Sequence, residues 1–190
     1  ITYGDWSSDV CSSDLRFFEL FWGAMRSGLF FTPVNWHLSA EEMEYVVDDC
    51  DAKVLFASAR VRDVAAGFAG RLPKVQRRLS VGGDIPGYES YEKVVGEFPA
   101  TRIADEREGG TMIYSSGTTG RPKGVRPQIQ FQPAGTGSVV PGTLGFAMIF
   151  GLDEKDTYIC PGPLYHAAPL QFSQIHLRLG ATVCVMEKFD

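Results

Sequence analysis

Apolar and polar residues alternate along this chain in blocks whose period predicts helices and strands in turn. Between residues 15 and 30 the apolar side chains recur every three to four positions, which predicts a helix. Its predicted buried stripe consists of Leu15, Phe18, Phe21, Trp22, Met25 and Leu29. Such a stripe would also suit a membrane surface, but a buried helix of a layered domain is the favoured interpretation. Gly28 is placed to end this helix, and a short strand is predicted at 32–35.

The same alternation continues to the end of the chain. Ser39-Ala-Glu-Glu42 is typical of a capping box and predicts a helix that runs to about Asp49. Apolar runs predict strands at 53–57, 78–81, 111–114, 157–160 and 181–186, and helices near 60–70, 89–97 and 167–179. Alternating strands and helices predict the α/β class, a mostly parallel sheet layered with helices. Residues 126–142 are rich in Pro, Gly and Gln without a period and predict a long irregular loop.

Composition limits the classes of function. The chain has 190 residues, 44% of them hydrophobic, which suffices for the core of one domain or of one domain and a fragment. The net charge is −5 and the basic residues are scattered, so we expect no nucleic-acid partner. No apolar run approaches the ~18 residues of a membrane span. The four cysteines are widely separated and indicate neither a metal site nor a disulfide framework, so a cytoplasmic location is expected.

The first fifteen residues do not follow this pattern. Trp6–Leu15 repeats a Ser-Ser-Asp unit and has neither helical nor strand periodicity. It resembles a peptide that arises when sequencing-adaptor DNA is translated, and the alternative is an ordinary polar loop. We therefore expect residues 1–15 to lie outside the domain and residues 16–190 to form it.

The segment Tyr114–Gly124 is a candidate phosphate-binding loop. It contains four Ser and Thr hydroxyls, three glycines, an arginine and a lysine. Glycines let backbone N–H groups turn toward an anion, and Lys123 adds a compact positive charge. A flexible turn between two strands is the plainer alternative. The spacing is not that of a Walker A loop, because Arg-Pro-Lys-Gly follows Gly120, so a P-loop NTPase or kinase is disfavoured.

The run Ser115–Gly124 resembles the signature of the AMP-forming adenylate ligases, which include the acyl-CoA synthetases. That signature is a Ser/Thr/Gly-rich run ending in x-Pro-Lys-Gly, and the match here has no gap. Pro161–Pro169 resembles a second family element, a Pro-Leu/Met-x-His run, at the expected separation of about fifty residues. The stretches 28–35, 38–42 and 52–56 also resemble segments of this family.

The resemblance implies part of the large N-terminal domain of an adenylate-forming enzyme. The implied reaction is ATP-dependent conversion of a carboxylic acid, with fatty acids as the expected class, to acyl-AMP and then to acyl-CoA. ATP, Mg²⁺ and coenzyme A are therefore the expected cofactor and substrates. His166 is implied at the carboxylate and acyl pocket, although taken alone it would suit a structural histidine. The residues implied to bind the phosphates of ATP are Ser115, Ser116, Gly117, Thr118, Thr119, Gly120 and Lys123.

The chain also departs from the family pattern. The loop at 126–142 stands where the family has a helix-opening Ser/Thr-His stretch. The family's Tyr-Gly-x-Thr-Glu element, ribose-binding Asp and C-terminal domain with its catalytic lysine do not occur before Asp190. We therefore expect a fragment with no complete catalytic set and no turnover by itself. The alternative is a non-catalytic module that binds a nucleotide or an acyl group. Oligomeric state stays open.

Overall fold

The chain divides by its contacts into two units, each assembled from separate segments. Unit 1 comprises residues 1–6, 30–104 and 111–127, and unit 2 comprises residues 7–29, 105–110 and 128–190. The computed structural model describes residues 2–4, 16–115, 121–128, 132–136 and 139–186. The predictions for Trp6–Leu15 and for Ser116–Gly120 lie outside these described residues.

Helices and strands alternate through both units. The helices are α1 (Arg16–Arg26), α2 (Ala40–Asp49), α3 (Arg62–Phe68), α4 (Tyr91–Gly96), α5 (Val139–Phe150) and α6 (Ala167–Leu179). The strands are β1 (Thr2–Gly4), β2 (Phe30–Val34), β3 (Val54–Ser58), β4 (Arg77–Val81), β5 (Glu89–Ser90), β6 (Gly110–Thr111), β7 (Ile113–Ser115), β8 (Lys123–Val125), β9 (Thr157–Cys160) and β10 (Thr182–Val185). The predicted positions of most elements are therefore correct to within a few residues.

The main sheet contains six strands in the order β5-β4-β3-β1-β2-β6. β1 pairs in parallel with both β2 and β3, β3 pairs in parallel with β4, and β4 with β5. In unit 2, β9 and β10 form a second parallel pair. Parallel strands require crossover connections, which is why helices separate them in the sequence. The predicted α/β class with a mostly parallel sheet is confirmed.

Helix α2 shows how local sequence and core packing agree in unit 1. The Ser39 hydroxyl accepts a hydrogen bond from the Glu42 N–H at 3.3 Å, and the Glu42 carboxylate accepts one from the Ser39 N–H at 2.9 Å. This reciprocal pair is the predicted capping box, and it satisfies two N–H groups that the helix cannot pair internally. Beyond the cap, α2 buries one apolar face in a core cluster with β3 and α3, formed by Met43, Val46, Val47, Leu55 and Phe68.

Helix α1 is buried in unit 2, but on a face slightly different from the predicted stripe. Its buried side chains are Phe17, Leu20, Phe21, Ala24 and Met25. Phe18 and Trp22 are only half-buried, and Leu29 is 42% exposed, so these three assignments to the stripe were wrong. The helix ends at Arg26 because Gly28 adopts a left-handed conformation, with φ at 70°, that only glycine adopts without strain.

Helix α5 corrects the predicted loop at 126–142. Its residues 139–142 are helical, whereas the described residues 126–128 and 132–136 are irregular apart from a bridge at Pro133. Pro141 lies in the first turn, where a missing N–H costs nothing, so it does not prevent the helix. The rings of Phe146 and Phe150 each lie 5.9 Å from that of Phe172 on α6, so packing against α6 stabilises a segment with weak intrinsic helical preference.

In unit 2 the backbone of residues 105–110 lies directly on the end of α1. The N–H of Gly109 donates to the Met25 carbonyl at 2.6 Å. A Cβ on Gly109 would overlap the Leu29 carbonyl oxygen and would lie 2.9 Å from the Met25 Cα. These neighbours are backbone atoms that cannot rotate away, so this approach requires glycine.

No described helix is long and apolar enough to cross a membrane.

A buried ion pair joins the same segment to α6. The Glu108 carboxylate is 4% exposed and accepts hydrogen bonds from Arg178, at 3.0 Å and 3.4 Å, and from the Gly135 N–H at 2.6 Å. The Arg178 guanidinium lies 5.1 Å from the centre of the Trp22 ring on α1. One carboxylate therefore connects α6, the segment at 132–136 and, through Arg178, α1.

We expect Glu108→Ala to lower the free energy of unfolding by about 3–5 kcal/mol, because it leaves Arg178 largely buried without a counter-charge. Asp105→Ala is the matched control, since Asp105 is 76% exposed and, among the described residues, pairs with Arg107 at the surface. Its cost should be at most about 1 kcal/mol. Urea denaturation of the two variants measures both values, and equal costs would contradict the importance of the buried pair.

Candidate functional site

The candidate phosphate loop lies between the two strands of a hairpin in unit 1. β7 and β8 are antiparallel, with Ile113 opposite Val125, Tyr114 opposite Gly124 and Ser115 opposite Lys123. The structure therefore brings together the two predicted site residues that it describes here, Ser115 and Lys123. The other five predicted phosphate-binding residues, 116–120, lie outside the described residues.

Ser115 and Lys123 are both exposed at the loop end of this hairpin. The Ser115 hydroxyl donates to the Lys123 carbonyl at 3.4 Å. Among the described residues the Lys123 ammonium has no carboxylate partner, so its charge is available to an anionic ligand. A hydroxyl and an ammonium on facing residues at the mouth of a loop are groups that can contact phosphate oxygens.

Tyr114 attaches β7 to the end of α2. Its hydroxyl donates to the Asp49 carboxylate at 2.6 Å, and its ring packs on the core cluster of unit 1. Burial raises the pKa of the Tyr114 phenol, and the hydrogen bond to Asp49 raises it further, so the phenol stays a donor at neutral pH. This contact was not predicted, because no local pattern relates two residues that are 65 positions apart.

Arg121 makes a second contact between the hairpin and α2. Its guanidinium lies 5.0 Å from the centre of the Tyr45 ring, within the range of a cation–π interaction. Tyr45 and Asp49 are four residues apart on α2, so they lie on the same face of that helix. Tyr114 precedes residues 115–120 of the candidate loop and Arg121 follows them, so both flanking residues contact this face.

The last residue of the signature, Gly124, allows the Tyr114 ring to lie across β8. A Cβ on Gly124 would come within 2.8 Å of the Tyr114 Cζ and 3.0 Å of its hydroxyl oxygen, and would overlap the Met112 methyl group. The side chain of any other residue would therefore displace the tyrosine from its position beside Asp49. This glycine serves packing within the hairpin.

His166 begins helix α6 in unit 2. Its backbone is extended, with φ at −84° and ψ at 145°, and its carbonyl accepts the N–H of Leu170 at 3.2 Å. The imidazole makes no capping hydrogen bond, is exposed, and lies 4.5 Å from the ring of Tyr165. Its position at a helix start in the turn after β9 is as predicted, and its ring nitrogens are accessible to a ligand.

The turn that carries His166 is tightly packed. A Cβ on Gly162 would lie 2.9 Å from the Pro169 ring, and the Cys160 thiol donates to the Gly162 carbonyl at 3.4 Å. Leu164 and Tyr165 are buried beside it. Because these contacts restrain the backbone on both sides of His166, we expect the turn that carries the imidazole to be rigid.

Protein ligands for a metal ion are not clustered in the described part of the chain. No group of three or more His, Cys, Asp or Glu side chains lies close enough together there to hold one. Magnesium usually keeps several waters and binds through substrate phosphates with one or two carboxylates.

Comparisons with known proteins agree with the hairpin signature. The family model described as AMP-binding enzyme matches residues 10–190. The chain is 26% identical over 180 residues to a medium-chain-fatty-acid–CoA ligase of Ectopseudomonas oleovorans, covering 87% of this chain and 31% of the relative. It is 33% identical over 142 residues to a 4-hydroxybenzoate–CoA/benzoate–CoA ligase of Rhodopseudomonas palustris, covering 66% of this chain and 25% of the relative.

The fold is similar to that of solved structures with the same architecture. The inhibitor-bound N-terminal domain of FACL13 from Mycobacterium tuberculosis superposes with a TM-score of 0.73 at 23% identity. That match covers 100% of this chain and 44% of the FACL13 domain. The chain thus spans about a third or less of the two curated relatives' lengths, and less than half of this domain.

Proposed function

This chain belongs to the family of AMP-binding enzymes, and we propose that it is the phosphate-binding part of an acid–thiol ligase that forms acyl-adenylates. The observation that carries the proposal is the β7–β8 hairpin, in which Ser115 and Lys123 face each other across the signature loop. Within the proposal, residues 16–190 are part of the N-terminal AMP-binding domain. Thr2–Gly4 pair with β2 and β3 in its sheet, so the interpretation of residues 1–15 as lying outside the domain stays a prediction only for those of them that the structure does not describe.

The proposed reaction has two steps. In the first, a carboxylate oxygen attacks the α-phosphorus of ATP, a new P–O bond forms, and pyrophosphate leaves with the electrons of the broken bond. In the second, the thiol of coenzyme A attacks the acyl carbonyl and AMP leaves. No protein nucleophile takes part, so the residues act by positioning the substrates and compensating their charge.

The proposed roles follow from the groups that each residue offers. The hydroxyls of Ser115, Ser116, Thr118 and Thr119 and the N–H groups near Gly117 and Gly120 would donate to the β- and γ-phosphates. Lys123 would offset their negative charge, and Mg²⁺ would arrive bound to the same phosphates. His166 would donate a hydrogen bond to the carboxylate oxygen or line the acyl pocket, which suits its exposed ring.

The acid is proposed as a fatty or an aromatic carboxylate. The relatives that support this choice are a medium-chain-fatty-acid–CoA ligase and a benzoate–CoA ligase. The proposed substrates are small molecules. The proposed location of the protein is the cytoplasm. The fatty-acid class named from the sequence is kept as the first choice.

We predict that Lys123→Ala weakens binding of MgATP by about tenfold, because a charge-assisted contact to phosphate is worth about 1.5–3 kcal/mol. Isothermal titration of the 190-residue chain measures this. Lys93→Ala is the control, since Lys93 is exposed on α4 in the same unit and should bind as the parent does. Adenosine has no phosphates, so its affinity should not change in either variant. An unchanged MgATP affinity in Lys123→Ala would contradict the role of Lys123.

His166→Ala should weaken binding of octanoate or benzoate several-fold while leaving the melting temperature unchanged, because the imidazole is exposed and makes no capping hydrogen bond to the described part of α6. His37→Ala is a matched control, since His37 is also exposed and lies against an aromatic ring, that of Trp36 at 4.0 Å. Titration with each acid at neutral pH compares the variants. Equal losses in both would show that the effect is not specific to His166.

The 190 residues alone should show no detectable ATP–pyrophosphate exchange with a panel of carboxylic acids. The reason is that the chain spans 31% and 25% of the lengths of two ligases in its family, so it would supply only some of the groups that position both substrates. A full-length ligase of the family serves as the positive control. Exchange at a rate comparable to that control would overturn the assignment as a partial domain.

A further inference from the structure

We propose that Tyr114 and Asp49 are positioning residues for the phosphate loop, since their hydrogen bond holds the β7–β8 hairpin against the end of α2. The inference rests on the proposed function and adds residues outside the phosphate-contacting set. The donor–acceptor distance of 2.6 Å is that of a short hydrogen bond to a charged acceptor. Removing the Tyr114 hydroxyl would leave the hairpin attached to α2 mainly through ring packing.

The position of Asp49 indicates that its carboxylate serves this contact and not the stability of α2. It lies in the last turn of the helix, where the partial negative charge of the helix end disfavours an acidic side chain. Its neighbours Asp48 and Asp51 are compensated by Lys74, at 3.3 Å and 2.9 Å. Asp49 instead accepts from the tyrosine of the hairpin.

A second contact with the same helix face strengthens the attachment. Arg121 lies over Tyr45, one helical turn before Asp49. Tyr114 and Arg121 flank residues 115–120 in the sequence, so the two contacts hold both flanks of that segment against α2. Contacts that form during folding and not during ligand binding raise affinity by preorganisation.

The glycine at position 124 completes the arrangement. Without a side chain it leaves the Tyr114 ring room to pass over β8 and reach Asp49, whereas a Cβ would meet the ring at 2.8 Å. The last glycine of the signature is therefore explained by the position of Tyr114. Through the Tyr114 ring, Gly124 also connects the signature to α2, which lies outside the signature.

The test compares Tyr114→Phe and Asp49→Ala with two controls in the same chain. Tyr114→Phe keeps the ring and removes the donor, and Asp49→Ala removes the acceptor. Asp49→Asn keeps an acceptor oxygen and should restore binding. Asp48→Ala removes the same charge from the same helical turn, where the described residues show Asp48 paired with Lys74. MgATP and adenosine are the two probes.

We expect Tyr114→Phe and Asp49→Ala each to weaken MgATP binding about three- to tenfold, the range of one lost hydrogen bond. Binding in Asp49→Asn and Asp48→Ala should stay within about twofold of the parent chain. The double variant Tyr114→Phe/Asp49→Ala should be no weaker than the weaker single variant, because both remove one interaction. Melting temperature should change little in Asp49→Ala, since the lost hydrogen bond is offset by the loss of an unfavourable charge at the helix end.

Hydrogen exchange of residues 113–115 and 123–125 without ligand provides a readout that does not depend on ATP. Faster exchange of these residues in Tyr114→Phe and Asp49→Ala, but not in Asp48→Ala, supports the attachment of the hairpin to α2. A parent chain that fails to bind MgATP would contradict only the proposed function and not this attachment. Unchanged exchange would overturn the inference. So would MgATP binding that is equal in Tyr114→Phe and the parent chain.

Discussion

Burial of the Glu108 carboxylate is the constraint on which unit 2 depends. A charge taken out of water costs several kcal/mol unless partners replace the water, so Arg178 and the Gly135 N–H must both reach it. These partners belong to α6 and to the segment at 132–136, so three parts of the chain distant in sequence meet at one side chain. Trp22 of α1 lies against the Arg178 guanidinium and adds a fourth part of the chain to this contact. These contacts hold the C-terminal end of α6, the helix whose N-terminal cap is His166.

In unit 1 the corresponding constraint is the attachment of a surface hairpin, β7–β8, to helix α2. The capping box closes one end of α2 and Asp49 accepts from Tyr114 near the other, so the same helix is defined at both ends by side-chain hydrogen bonds. The hairpin needs such contacts because two short antiparallel strands are only marginally stable by themselves. The exposed Ser115 and Lys123 then face solvent from a supported position, as a binding loop on a rigid scaffold requires.

The sequence was sufficient for features that depend on local pattern. The capping box at Ser39, the helix 167–179 and the alternation that predicted a parallel α/β fold all rest on short-range periodicity, and all were confirmed. Helix α5 was not predicted at all: residues 139–142 were assigned to a loop and 143–150 to no element, because Pro141, Gly142 and Gly145 weaken the helical propensity, and tertiary packing on Phe172 outweighs that weakness. The Tyr114–Asp49 contact could not be predicted, because nothing local relates residues 65 positions apart.

Binding of the phosphates of ATP by the hairpin loop is tested most directly by the reactivity of lysines toward an acylating reagent. Mass spectrometry compares the rate at which each lysine is modified with MgATP, with adenosine and without ligand. We expect MgATP, but not adenosine, to protect Lys123 and to leave the exposed Lys93 and Lys155 unchanged. Equal reactivity of Lys123 under all three conditions, or protection of Lys155 in its place, would contradict phosphate binding by this loop.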